Sequence, residues 1–150
     1  QPDLSNYTYC IQRQLKPEAR VDVINRLEEL KITPTSMIDI SDGLSTEINH
    51  LSNSSGLSFH IYEDKIPVSE ETKKVCDEFK LSQSVAYLNG GEDYELLFTI
   101  KQEDFDKIKG NPHMTVIGHI TDEKAGVYLI DKTGFSLPIK AQGWSHFTNS

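Results

Sequence analysis

Cysteine is scarce in this chain: Cys10 and Cys76 are the only two in 150 residues. They are too few and too far apart for a disulfide framework or a zinc site, so two reduced thiols in a cytoplasmic protein are expected. Long apolar runs are missing as well. None approaches the ~20 residues that a bilayer-spanning helix needs, which excludes such a helix from this stretch of sequence. No basic, then apolar, then small-residue leader opens it, and a start at Gln1 rather than Met leads us to expect further sequence upstream. Basic clusters are equally rare. With 15 Lys and Arg against 23 Asp and Glu, the formal net charge is −8. That balance argues against nucleic acid, whose affinity comes largely from neutralised phosphates. There is no Gly-Lys-Ser/Thr phosphate loop and no Gly-x-Gly-x-x-Gly. His60, His113 and His119 have no metal-ligand spacing, and no repeat or low-complexity tract interrupts the chain.

What is present is the composition of an ordinary globular protein, 37% apolar and 25% charged. A chain of this length fits one domain that buries roughly 68–70% of its unfolded surface. An acidic chain can still take a phosphorylated ligand if a divalent cation stands between the two negative partners. Magnesium-nucleotide chemistry therefore stays open.

Residues 1–16 read as a polar lead-in, and 17–150 as the domain proper. Pro17 suits the first turn of a helix, with Glu18 behind it and Val21, Val23, Ile24, Leu27 and Leu30 forming its apolar face. Thr33-Pro34-Thr35 ends that pattern. Residues 36–40 read as a short buried strand. A helix is expected from Asp42 or Gly43, carrying Leu44, Ile48 and Leu51 and closed by Gly56. Alternation over 57–62 marks a half-buried strand, and Ser69 is placed to cap a helix through Val75 and Phe79. Strands are expected over 94–100, 114–120 and 126–130, with a short helix around Phe105 and Ile108. Asp131-Lys132-Thr133-Gly134 then connects into a strand at 135–137. The fold class expected is α+β, a mixed β-sheet flanked by helices.

Three segments carry candidate chemistry. In Asp39-Ile40-Ser41-Asp42-Gly43-Leu44, two carboxylates three residues apart stand at a strand-to-helix turn. Backbone N–H groups at a helix start favour anions, and Mg²⁺ is commonly held by one or two carboxylates together with phosphate oxygens. Ser41 can offer a hydroxyl to a phosphate. A purely structural account makes Asp42 an N-cap and Asp39 a solvated strand end. The second segment is Gly90-Gly91-Glu92-Asp93-Tyr94-Glu95. Paired glycines let backbone approach a ligand, and Glu92 or Asp93 can accept from its amino groups; the alternative is a plain turn with solvated acids. In the third, Gly143-Trp144-Ser145-His146-Phe147, the single Trp either anchors the terminus or walls a flat heterocycle.

With Arg13-Gln14-Leu15-Lys16-Pro17 and Val116-Ile117-Gly118, these segments resemble the thiamine-monophosphate kinase family of the aminoimidazole ribonucleotide (AIR) synthase superfamily. The order and spacing are those of that family's C-terminal domain, an AIR synthase-like α/β sandwich, over essentially the whole chain. The resemblance implies transfer of the ATP γ-phosphoryl to thiamine monophosphate, giving thiamine diphosphate. It further implies Asp39 and Asp42 as Mg²⁺ ligands and Ser41 as an ATP contact. Glu92, Trp144 and Phe147 become substrate contacts, with no catalytic side chain of the acid–base kind. The remaining metal aspartates and the homodimer contacts fall to an N-terminal domain outside these 150 residues, so the fragment alone is expected to be inactive. Ser145 departs from the family's usual Asp. AIR synthase and selenophosphate synthetase are the rivals within the superfamily, and a non-catalytic ligand-binding domain is the rival outside it.

Overall fold

A computed structural model describes residues 5–91 and 94–140. A 3₁₀ turn leads into helix α1 (Thr8–Leu15), followed by α2 (Val21–Glu29), β1 (Ser36–Asp39), α3 (Leu44–Ser55) and β2 (Ser58–Tyr62). Next come α4 (Glu70–Glu78), α5 (Gln83–Asn89), β3 (Leu96–Thr99) and α6 (Phe105–Ile108), then β4 (Gly118–Thr121), β5 (Gly126–Ile130) and β6 (Ser136–Pro138). The α+β expectation holds, with one refinement. Among the described residues the strands form two sheets: an antiparallel β1–β3 pair, and a mixed sheet in the order β4-β2-β5-β6. The mixed character comes from β2 and β5, which run parallel from Ser58↔Gly126 to Tyr62↔Ile130.

Each sheet has its own core. Leu44 and Ile48 of α3 and Leu88 of α5 pack on Phe59, Ile61, Val127 and Leu129 of the mixed sheet. Ile48 is completely buried. Around the two-stranded sheet, Val23, Leu27, Ile32, Ile108 and Met114 form the second cluster, with Leu96 and Phe98 against it. Helix α3 is fixed at its C-terminal end. Gly56 takes the left-handed conformation (φ 74°) that ends it, and the Ser52 hydroxyl donates to the Leu57 carbonyl at 2.8 Å while accepting from Gly126 N–H at 3.0 Å.

Three local expectations need correction. Residues 8–15 are helical although they bury no residue in the described core; they are held through side chains instead, with the Tyr7 hydroxyl donating to Glu78 at 2.7 Å and Arg13 paired with Glu95. Helix α2 begins at Val21, not Pro17, because the Arg20 side chain is drawn to Asp22 and Glu95 and its backbone (φ −79°, ψ 52°) sits outside the helix. The strand expected over 114–120 starts only at Gly118, since Met114 and Val116 turn into the second cluster. Helix α5 has no counterpart in the sequence reading. Ser69 does cap α4, accepting from Thr72 N–H at 3.1 Å.

Candidate functional site

The acidic turn after β1 and the glycine pair after α5 meet, although some fifty residues separate them. Main-chain pairing brings them together: Ile40 N–H donates to the Glu95 carbonyl at 2.8 Å, and Tyr94 N–H to the Ile40 carbonyl at 2.9 Å. Beyond that pairing the two backbones run in contact. A Cβ added to Gly91 would lie 2.7 Å from the Ser41 carbonyl oxygen, so glycine is needed there for space. Gly43 is required twice over. Its φ of 121° is one that L side chains rarely adopt, and a Cβ would lie 3.1 Å from the backbone of Leu88 and Asn89. Tyr94, also at positive φ (50°), is a non-glycine residue held in a costly conformation, as happens where surrounding structure over-determines a site.

Asp39 closes β1 and is exposed, as is Asp42; Ser41 between them is half-buried. The N-cap of α3 is Gly43, and no side chain makes a capping hydrogen bond there. Asp42 is thus not the N-cap, and it stands solvent-exposed on the turn as Asp39 does. Beneath the turn lies Glu47, 3% exposed in the first turn of α3. Its Oε1 accepts from the Ser41 hydroxyl and from Asp42 N–H, both at 3.3 Å. The neighbouring Ser45, also buried, donates to Asn89 Oδ1 at 2.9 Å and ties α3 to the end of α5.

Glu95 belongs to the second segment and ends in a clamp. Arg13 of α1 and Arg20 before α2 both donate to its carboxylate, and Arg20 also donates to Asp22 at 3.0 Å. The Arg20 guanidinium holds the exposed Asp22 carboxyl below the usual carboxylate range. A groove of about 1670 Å³ passes this clamp, with Arg13, Arg20, Ile40, Tyr87, Gly91 and Glu95 among its lining residues. Burial pushes the Tyr87 hydroxyl above its ordinary pKa, and it donates to Glu63 at 3.0 Å.

Asp39, Ser41 and Asp42 are hard oxygen donors on one turn, the donor type that suits Mg²⁺. Among the described residues no three acidic, His or Cys side chains gather to hold a metal ion unaided. Two carboxylates fit an ion whose remaining ligands are phosphate oxygens and water. Glu92, Trp144 and Phe147 lie outside the described residues. Sequence reasoning overlooked Glu47 and the part of Glu95. Glu47 left a signal: three residues after Leu44 and four before Leu51, it is a carboxylate on the apolar stripe of α3.

No helix among the described residues is long and apolar enough to cross a membrane. Residues 11–130 match the model of the family described as AIR synthase related protein, C-terminal domain. The thiamine-monophosphate kinase of Aquifex aeolicus is 39% identical over 139 residues, covering 91% of this chain and 41% of that protein. That of Pyrococcus horikoshii is 40% identical over 120 residues, covering 79% of this chain and 36% of its own length. The solved structure of AaThiL complexed with AMPPCP and TMP superposes with a TM-score of 0.77 at 33% identity, covering 98% of this chain and 44% of that one. The hydrogenase maturation protein HypE, at 19% identity and a TM-score of 0.63, shares the fold. This chain thus spans about two fifths of the length of the relatives it matches.

Proposed function

We propose, from the premise that this chain belongs to the AIR synthase related family as its C-terminal domain, that it is the C-terminal half of an ATP-dependent thiamine-monophosphate kinase. The observation that supports this reading is the meeting of the acidic turn, with the candidate metal and nucleotide residues Asp39, Ser41 and Asp42, with the Gly90-Gly91 segment. Relatives named thiamine-monophosphate kinase, and the AaThiL structure with its nucleotide analogue and TMP, supply the substrates.

In this reading a phosphate oxygen of thiamine monophosphate attacks the γ-phosphorus of ATP. A new P–O bond forms, the bond to the bridging oxygen breaks, and its electron pair leaves on ADP. A phosphate oxygen is already a competent nucleophile near neutral pH, so alignment and charge neutralisation are the demands on the protein. Bound Mg²⁺ supplies the neutralisation. Asp39 and Asp42 would hold it, Ser41 would serve the nucleotide side, and Glu92, Trp144 and Phe147 would take the thiamine portion. Residues 1–16 lead in from an N-terminal domain that carries the other aspartates and the homodimer contacts, and the setting is cytoplasmic. The test compares residues 1–150 with the full-length chain. The full-length chain is expected to form thiamine diphosphate only with Mg²⁺ and ATP, and the fragment to form none; equal activity in the fragment refutes the division of labour.

A further inference from the structure

We infer that Glu47 is a positioning residue for the nucleotide side of the site, one that turns the Ser41 hydroxyl inward so that Ser41 meets the nucleotide through a cation or a bridging water. The inference rests on the reading above and adds a residue and a polarity to it.

A serine hydroxyl has one proton and two lone pairs. Here the proton goes to Glu47 Oε1, and the Asp42 N–H goes to the same oxygen. With its proton directed to Glu47, Ser41 has lone pairs left to present on the turn that also carries Asp39 and Asp42. Such a surface accepts from a hydrated cation and repels a bare phosphate oxygen. Both contacts are long at 3.3 Å, which leaves room for them to tighten when the turn is loaded.

The placement of Glu47 suits the role. It rises from the buried face of α3, next to fully buried Ile48 and two residues after Ser45, which is tied to Asn89. A carboxylate in that position costs desolvation that an apolar residue of similar size avoids. Replacing it with Leu therefore offers a variant in which fold stability and site function move apart: side-chain bulk is kept while the acceptor and the carboxylate charge are lost, and Gln, which loses the charge but keeps the acceptor, separates the two.

The experiment uses the full-length chain and measures Mn²⁺ binding in the presence of AMPPCP by electron paramagnetic resonance, with melting temperature alongside. Glu47→Leu is expected to weaken Mn²⁺ binding about 10–100-fold, the scale for losing a partner that orients a metal site, without lowering the melting temperature. Glu47→Gln keeps a carbonyl that accepts the same two bonds and stays within about threefold of the parent. Ser41→Ala weakens binding comparably, and combining it with Glu47→Leu adds no more than about twofold, because both changes remove one interaction. Losses that multiply in the double variant overturn the inference, as does unchanged Mn²⁺ binding in Glu47→Leu. Should Glu47→Leu fail to fold, Glu47→Ala takes its place with the affinities read the same way. If the parent chain itself binds no Mn²⁺ with AMPPCP, the kinase reading fails; if it binds and Glu47→Leu binds equally, only the inference about Glu47 fails.

Discussion

Gly91 lies against Ser41 so closely that a methyl group on Gly91 would come within 2.7 Å of the Ser41 carbonyl oxygen. Gly91→Ala therefore displaces the acidic turn, since the obstructing atom is backbone and has no rotamer to yield. In the full-length chain kcat/KM should fall roughly 10²-fold, the scale of about 1 Å of misplacement at a reacting centre. Gly110→Ala is the control. Its φ of 75° makes the change costly by about 1 kcal/mol, but nothing lies within 4 Å of the added Cβ, so turnover should not change.

Asp42→Asn separates a metal ligand from a cap. Asn and Asp cap helices about equally well, and here Gly43 is the N-cap with no side chain bonding to it. We expect the melting temperature to stay within experimental scatter while kcat/KM drops by roughly 10²-fold or more, as for loss of one preorganised electrostatic contact. Steady-state kinetics at saturating Mg²⁺ and ATP provide the check, and unchanged kinetics strike Asp42 from the site.

The Glu95 clamp makes a different prediction, about stability. Arg13 and Glu95 are each more than a third exposed, so that ion pair is worth about 1 kcal/mol or less. Glu95→Gln should lower the melting temperature by a few degrees near 0.1 M salt, and the deficit should shrink at 1 M, where the Debye length is about 3 Å. A salt-independent deficit would assign the effect to packing.

These predictions rest partly on features that the sequence alone reveals and partly on ones it hides. Asp39-to-Gly43, the Gly56 cap and the alternation over 57–62 are legible because each follows from a local rule of periodicity or backbone freedom. Helix α1 is not, because its anchors, Arg13 to Glu95 and Tyr7 to Glu78, join residues 82 and 71 positions apart. The same holds for Pro17: its fixed φ suits a helix start, yet Arg20 is pulled away by a distant carboxylate and the helix waits for Val21. Asp39, Ser41 and Asp42 were singled out by residue type and spacing. Glu47 is legible only through its place on the apolar stripe of α3, since its partners Ser41 and Asp42 are met across a turn that residue type alone does not reveal.

Trp144→Ala distinguishes a substrate wall from a terminal anchor. Loss of a wall raises KM for thiamine monophosphate and leaves KM for ATP nearly unchanged, because uniform binding is lost at one site only. Loss of a buried anchor costs roughly 3–5 kcal/mol, lowering the melting temperature and affecting both substrates together. We expect the selective change in KM. A stability loss of that size without it removes Trp144 from the substrate site.

The proposed transfer of a phosphoryl group to thiamine monophosphate can be read in the fate of the γ-phosphate. The full-length chain is incubated with Mg²⁺, thiamine monophosphate and ATP labelled at the γ-phosphorus, and the labelled products are separated. Label is expected in thiamine diphosphate, mole for mole with ADP, and none without thiamine monophosphate. Label released as inorganic phosphate, with thiamine monophosphate left unchanged, contradicts the proposed transfer.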